Sequence, residues 1–474
     1  LQHYEGVVLA HHGLVTWADD SSTCLQRTLD TVKRAAEFVA ARSIAAGPPP
    51  RHSDMSDDEV RRLLLHLRGA VSATGRRVLR VDERLRTVAD HPKLEQIVAG
   101  GVSSADHMLR IKPLSVALDS SEKEQVRAAI TEYRSAYEAY VERNEVLLPP
   151  GQAGHDPMPR VALVPGLGAV TTGVDHREAR VAADIALHTH GVARTVVDAF
   201  ADPEPLSETD TFRFDYWPME LYKLTLRPAP AEFSGRIVIV TGAASGIGRG
   251  VAKDLAQRGA SVALADLNAD GLAVTADQIT SDGGAEPLVI AGDQSDSSIA
   301  SEAVDRCVRH FGGLDGVVLN AGIGVTGDLC DLTDAQWESA LRVNLSSAFY
   351  LTRACLSVLR DQGLGGSLVY VASKNAFGPG AGFGAYSVSK AGMVQLMRIA
   401  ALEGGADGIR ANAVNPDAVF DDSRLWDDGL REERAAAHGI PASDLEDFYA
   451  RRTLLGARVD RKSTRLNSSH SSVS

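Results

Sequence analysis

From Arg236 onward, short apolar runs alternate with helical stretches. IVIV (237–240), VALA (262–265), LVIA (288–291), GVVL (316–319), SLVYVA (367–372) and ANAV (411–414) are predicted strands. Runs that are apolar on both faces and separated by helices predict a parallel sheet covered on both sides. The first half is less regular. GVVLA at Gly6–Ala10 predicts a buried strand and His11-His12-Gly13 a turn. Ser21–Arg42 predicts a long helix, with Leu25, Leu29, Val32, Ala36 and Val39 near helical spacing. Further helices are predicted over Asp57–Leu67, Lys123–Asn144 and Arg177–Ala199. Strands are predicted at Val78–Val81 and from Arg160 to the turn at Pro165-Gly166.

Pro-rich breaks at 46–50, 148–159 and 227–230 interrupt this pattern and mark linkers or long loops. At 474 residues the chain is too long for one ordinary core. The division expected is 1–45, 59–228, 232–459 and a tail at 460–474. The fold class expected is α/β, with a Rossmann-type doubly wound parallel sheet in the C-terminal half. Residues 460–474 turn abruptly Ser-rich and basic, and resemble a translated sequencing adapter rather than native chain. The start at Leu1, without Met, suggests a beginning inside a longer protein.

A formal charge of -13 speaks against a general nucleic-acid surface. No apolar window reaches membrane-spanning length, and no secretory leader is visible, so a cytoplasmic protein is expected. Cys24, Cys307, Cys330 and Cys355 are scattered and are expected to be reduced core residues.

The candidate chemistry begins where the first strand of the alternating region runs into Thr241-Gly242-Ala243-Ala244-Ser245-Gly246-Ile247-Gly248, followed by a helix. Such glycines let backbone turn tightly against a pyrophosphate, and the helix N-terminus offers N–H groups and a positive dipole end. Asp266 closes the next predicted strand. Its carboxylate would accept from both adenosine ribose hydroxyls and repel a 2′-phosphate, favouring NAD over NADP. The alternative reading is a helix-capping Asp before Asn268. Asp293, after the third strand, is a candidate for the adenine edge or a turn residue.

Tyr386-Ser387-Val388-Ser389-Lys390 places a phenol and an ammonium one helical turn apart. A nearby ammonium favours the phenolate and is expected to lower the Tyr386 pKa. Ser373 ends a predicted strand at the carboxyl edge of the sheet, where ligands bind. Asn344 is an amide inside an apolar helical pattern and needs partners; a water-mediated relay to Lys390 would supply them.

In this order and spacing the region resembles the short-chain dehydrogenase/reductase family: TGAASGIG, Asp266, LNAG at 319–322, Asn344, Ser373, YSVSK and VNP at 414–416. The resemblance implies a catalytic tetrad of Asn344, Ser373, Tyr386 and Lys390. It implies a cofactor site formed by Thr241, Gly242, Ser245, Gly246, Ile247, Gly248, Asp266, Asp293, Asn320, Ala321, Gly322, Tyr386 and Lys390. Two departures stand out. Leu319 replaces the first Asn of the usual Asn-Asn-Ala-Gly, so one support of the central strand is expected to be lost, and Asp417 follows Pro416 where Gly is usual. The family's last strand, part of its tetramer interface, is not recognisable here.

Gly6–Leu14 resembles the last metal-ligand strand of class II aldolases, which makes His12 a zinc ligand by resemblance. One His alone does not hold catalytic zinc, so zinc is expected only in a full-length aldolase half. His188-Thr189-His190 has ligand-like spacing, but it lies in a predicted helix that would send the two rings to different faces. The whole order is similar to bifunctional rhamnulose-1-phosphate aldolase/short-chain dehydrogenases. Supporting stretches are Ala105–Met108, Pro159–Gly168, Tyr216–Glu220, Ser373–Asn375 and Val414–Val419. The implied activity is NAD-dependent turnover of a small hydroxy-carbonyl such as lactaldehyde, in a dimer or tetramer if the native C-terminus is present. The competing readings are a zinc-dependent aldolase in the full-length parent and a catalytically inactive NAD-binding fragment. No chemistry is assigned to His107 or Arg110.

Overall fold

A computed structural model describes residues 4–9, 13–43, 52–200, 204–226, 228–427 and 429–453. His12, Ala10 and the 460–474 tail lie outside these residues. The strands are β1 (Gly6–Leu9), β2 (Gly13–Thr16), β3 (Val78–Asp82), β4 (Val116–Ala117), β5 (Val161–Val164), β6 (Gly168–Gly173), β7 (Ile237–Thr241), β8 (Ser261–Asp266), β9 (Leu288–Ala291), β10 (Gly316–Leu319), β11 (Gly366–Val371) and β12 (Ile409–Val414).

The six strands from β7 onward form one sheet in the order β12-β11-β10-β7-β8-β9, and every pairing is parallel. This is the doubly wound architecture expected from the alternating apolar runs. The strand order reverses between β7 and β10, and the carboxyl ends of the strands at such a reversal are where doubly wound sheets bind ligands. Leu319, the departure from the usual Asn, is buried at the end of β10.

The middle segment builds a second, mixed sheet in the order β3-β6-β5-β4. β6 is antiparallel to both β3 and β5, while β4 joins β5 in parallel. Strands β4 and β6 escape the sequence pattern: β4 has only two residues, and β6 (GAVTTG) has no alternation, because all six of its residues are buried.

Helix Asp57–Val71 joins the two halves. Its start is set by a capping box, in which the Ser56 side chain accepts from Glu59 N and the Glu59 carboxylate accepts from Ser56 N. It buries Leu63, Leu64, Leu65, Leu67 and Val71. These lie in one apolar core with Phe311, Val358 and Leu359 of the C-terminal half. Arg68, fully buried in the same helix, donates to Gln362 Oε1 (2.8 Å) and Gly235 O (3.1 Å) and pairs with Asp315 (2.5 Å). The Asp315 carboxylate also accepts from Ile237 N (2.9 Å), at the start of β7.

Three expectations are corrected. The Gly6–Leu9 strand is not buried: among the described residues it pairs only with β2, and Val8 is 73% exposed. Helix Ser21–Ser43 forms but buries no residue, and Leu25, Leu29 and Val32 face solvent. Of the cysteines, Cys307 and Cys355 are core residues, but Cys330 is exposed.

Candidate active site

The glycine-rich turn follows β7 and leads into helix Gly246–Gln257. Gly242 has φ +65°, and a Cβ there would lie 2.6 Å from Asn320 Nδ2; one on Gly248 would lie 2.0 Å from Gly242 O. Glycine is therefore required at both positions by close backbone approach. Thr241 Oγ1 accepts from the N–H groups of Asn320 (2.9 Å) and Ala321 (3.1 Å), and Asn320 Nδ2 donates to Thr241 O (3.0 Å). Thr241, Asn320 and Ala321 thus brace the turn against β10. The Ser245 hydroxyl makes no cap to the helix. Gly246 N donates to Asp422 O (2.7 Å), from the segment after β12.

Asp266 ends β8 beside this turn. Its carboxylate accepts from Ala244 N (3.1 Å) and Asn268 N (2.9 Å). The helix cap itself is Asn268, whose side chain accepts from Gly271 N, so Asp266 is held next to the turn by backbone donors and is not needed as the cap. The Asp293 carboxylate is occupied by Ser295 N (2.9 Å), Ser295 Oγ (2.6 Å) and Arg342 (3.3 Å). The Ser295 hydroxyl, first among these, holds its pKa below the usual carboxylate range.

Ser373, Tyr386, Lys390 and Asn344 are all buried. Ser373 follows β11 and caps a short 3-10 turn, its Oγ accepting from Asn375 N (3.2 Å). Tyr386 and Lys390 share helix Gly384–Gly404. Lys390 Nζ donates to Val371 O (3.0 Å) and lies 5.9 Å from the Tyr386 ring centroid. A Cβ on Gly322 would lie 3.0 Å from Asn344 Oδ1 and 3.3 Å from Lys390 Nζ, so this glycine lets the two polar side chains meet at one point.

Asn344 sits in a π-helical turn, Arg342–Ser346, a distortion that often marks a functional position. Its Oδ1 accepts from Ile323 N (2.8 Å), and its Nδ2 donates to Ile323 O (3.1 Å) and Ser389 Oγ (3.0 Å). The amide finds these partners within the protein. Ser389, in turn, donates to Tyr386 O (2.7 Å). The sequence reading missed this second serine of YSVSK; the only signal was a polar residue on the same helix face as Tyr386.

The expected lowering of the Tyr386 pKa is reversed. Burial pushes it above the usual phenol value, and a hydrogen bond with Ser373 only partly offsets this. Burial also lowers Lys390, to about 8, so the charge meant to favour the phenolate is itself disfavoured.

The remaining candidates lie elsewhere. His188 and His190 point to different sides of helix His176–Phe200. His190 is buried against Ser115 Oγ (2.9 Å), and His188 packs edge-on to His107, with ring centroids 5.4 Å apart. His107 Nδ1 also bonds Thr189 Oγ1 (2.9 Å). Among the described residues no group of His, Cys, Asp or Glu could hold a metal ion, and no helix is long and apolar enough to cross a membrane.

Residues 236–425 match the family model described as short chain dehydrogenase, and residues 58–224 match that described as aldolase class II, second domain. An uncharacterized oxidoreductase of Bacillus subtilis, YuxG, is 33% identical over 479 residues, covering 96% of this chain and 68% of that protein. The chain belongs to the family that joins a class II aldolase domain to a short-chain dehydrogenase, and it is an oxidoreductase of that type. Two relatives match the dehydrogenase half alone. D-threitol dehydrogenase of Mycolicibacterium smegmatis is 35% identical over 198 residues, 41% of this chain and 75% of that one. L-rhamnose 1-dehydrogenase (NAD(P)(+)) of a Sphingomonas species is 34% identical over 200 residues, 42% and 79%. The family implies a nicotinamide cofactor. The turn fits one, because its glycines permit the tight strand-to-helix turn that a Cβ would block and the first turn of the following helix offers N–H groups beyond that of Gly246, which Asp422 O holds.

Proposed function

We propose that this protein transfers hydride between NAD and a small hydroxy-carbonyl compound of the lactaldehyde type, in the catabolism of deoxy sugars such as rhamnose. The observation that carries this is the grouping of Ser373, Tyr386, Lys390 and Asn344 at the carboxyl edge of the parallel sheet, with Gly322 leaving room for Asn344 and Lys390 beside it. The names of the relatives, a threitol and a rhamnose dehydrogenase, support a small polyhydroxy substrate. The carboxylate of Asp266 beside the glycine-rich turn supports NAD over NADP, because it would repel a 2′-phosphate.

The nicotinamide, when bound, accepts or delivers the hydride. The chain's own residues handle the proton and the oxygen. Ser373 donates to the substrate oxygen, and Tyr386 exchanges the proton with it. Lys390 holds the nicotinamide ribose, and Asn344, fixed by Ile323 and Ser389, positions the helix turn beside it. Because burial raises the Tyr386 pKa, the phenol stays protonated at neutral pH, which suits it to give a proton to the oxygen of a carbonyl being reduced. Oxidation needs the phenolate, so its rate should climb with pH well past neutrality while reduction does not.

The test is NADH formation from L-lactaldehyde and NAD, alongside the Tyr386→Phe variant. Turnover should fall by about 10²–10⁴-fold while NAD binding is kept. Undiminished turnover in the variant would remove Tyr386 from the mechanism. A homo-oligomer is proposed as the working form, supported by Phe349, Val388, Ile399 and Leu402, which stand exposed on helices Ser347–Gln362 and Gly384–Gly404. Residues 59–228 and 232–459 are proposed as separate domains.

A further inference from the structure

The turn carrying Ser373 is stitched to the segment that follows β12. Ala372 N donates to Val414 O (2.9 Å), and Lys374 N donates to Pro416 O (3.1 Å). The Lys374 ammonium then forms an ion pair with Asp417 Oδ1, an oxygen that also accepts from Ala418 N (2.8 Å). Lys374 Nζ lies 5.5 Å from the ring centroid of Tyr449, which brings helix Leu445–Arg452 into the same contact. The segment's other end reaches the glycine-rich turn, where Asp422 O accepts from Gly246 N (2.7 Å) and the Asp422 carboxylate pairs with Arg249 (3.0 Å). Asp422 has φ +53°, a left-handed conformation rare outside glycine and tolerated by Asp. Between the two ends the segment is stiffened by Trp426 Nε1 donating to Val419 O (2.8 Å) and by Phe420 stacked on Trp426, with centroids 4.2 Å apart.

One stretch of chain therefore spans from the serine turn to the cofactor turn and is clamped at both. We propose that Lys374 and Asp417 are a positioning pair for the reaction: their ion pair seats this segment on the Ser373 turn and so aims the Ser373 hydroxyl at Tyr386. The Asp422–Arg249 clamp at the far end registers that hydroxyl against the cofactor turn. Neither Lys374 nor Asp417 touches the reacting atoms; they act through Ser373. The pair is part-exposed, at 39% and 30% of the side chains, so a contact of this kind does little for stability and its effect is expected in geometry. The inference rests on the reading of Ser373 and Tyr386 as the pair that handles the substrate oxygen.

Two measurements test it. The first is steady-state reduction of L-lactaldehyde by NADH, with 2,3-butanedione as a second carbonyl acceptor, in Lys374→Met, Asp417→Asn, Lys374→Arg and the charge-swapped double variant Lys374→Asp/Asp417→Lys. The two neutralising variants should lose about 10- to 100-fold in kcat, the scale of a small misplacement of a reacting group, with NADH affinity unchanged. Lys374→Arg and the charge-swapped chain should recover most of it. The second needs no substrate: the ultraviolet titration of Tyr386, isolated by difference against Tyr386→Phe, should move to higher pH in Lys374→Met as the Ser373 hydrogen bond weakens. Unchanged kcat with an unmoved titration would overturn the proposal. So would a loss of kcat that tracks lost thermal stability and is not recovered by the swap. If the parent turns over neither acceptor, the substrate assignment fails, and the titration alone decides the pair: a shift supports it, no shift overturns it.

Discussion

Helices Ser21–Ser43 and Asp57–Val71 both carry an apolar stripe at helical spacing, yet they end in opposite environments. The first buries no residue, while the second buries Leu63, Leu64, Leu65, Leu67, Arg68 and Val71 between the two halves of the protein. Amphipathic spacing makes a helix capable of burial; only a partner surface achieves it. Helix Asp57–Val71 has partners on both sides, helix Lys123–Arg143 on one and helices Ser297–Phe311 and Ser347–Gln362 on the other. Among the described residues, helix Ser21–Ser43 leans on strand β2 and on helix His176–Phe200, where Phe38 meets Phe200 with ring centroids 6.4 Å apart. Helix His176–Phe200 shows the same contrast on its own two faces: Ala182, Ala186, His190 and Val197 are sealed, while Val192 and Phe200 are exposed.

The contrast is sharpest at Arg68. Removing its guanidinium in Arg68→Ala takes from the buried Asp315, at the roots of β7 and β10, the fully buried one of its two arginine partners, leaving Arg76 (2.8 Å) as the other. A cost of about 3–5 kcal/mol is expected, the range for breaking one side of a buried pair. Because the helix lies in a core common to both halves, urea unfolding of this variant should lower one shared transition. Two separated transitions in the parent would show that the halves are not coupled through this helix.

A smaller effect is expected at His190, where burial holds the pKa near 4, below the usual 6.5. The folded state therefore resists a proton that the unfolded chain accepts. The associated stability is fully present above pH 6.5 and is lost as pH falls through the folded value, by about 3 kcal/mol in all. Urea midpoints at pH 7 and pH 5 should differ more in the parent than in His190→Gln; equal differences would refute the assignment. The smallest effect belongs to the exposed helix. Leu29, 53% exposed, should tolerate Leu29→Ser with a change within about 0.5 kcal/mol. A loss of several times that in a thermal melt would mean that this helix has a covering surface in solution.

Legibility differed between the two sheets for a physical reason. Five of the six parallel strands carry an uninterrupted apolar run, because helices cover both faces, while the edge strand β12 alternates with exposed Arg410 and Asn412; each was readable within about two residues at its ends. In the mixed sheet, β4 is too short to show a period, and the Thr-containing β6 hides its burial behind hydroxyls bonded to backbone, as Thr171 Oγ1 is to Ala179 O (2.7 Å). In the candidate site, Tyr386, Lys390, Ser373 and the glycines were legible from their residue types and their spacing along the chain. Ser389, the π-turn at Asn344 and the Lys374–Asp417 pair were not, since each depends on which chain segments come to lie side by side.

Local pattern determined the alternating strands and helices, the glycine-rich turn after β7, the cap at Ser56 and the one-turn spacing of Tyr386 and Lys390, all of which follow from backbone sterics and side-chain periodicity. Tertiary structure alone decided which apolar stripe found a partner, that Arg68 would bridge the two halves, and that Tyr386 and Lys390 would both be shifted toward their neutral forms. Burial is a property of everything packed around a group, and desolvation outweighed the attraction between neighbours that spacing along the chain suggested.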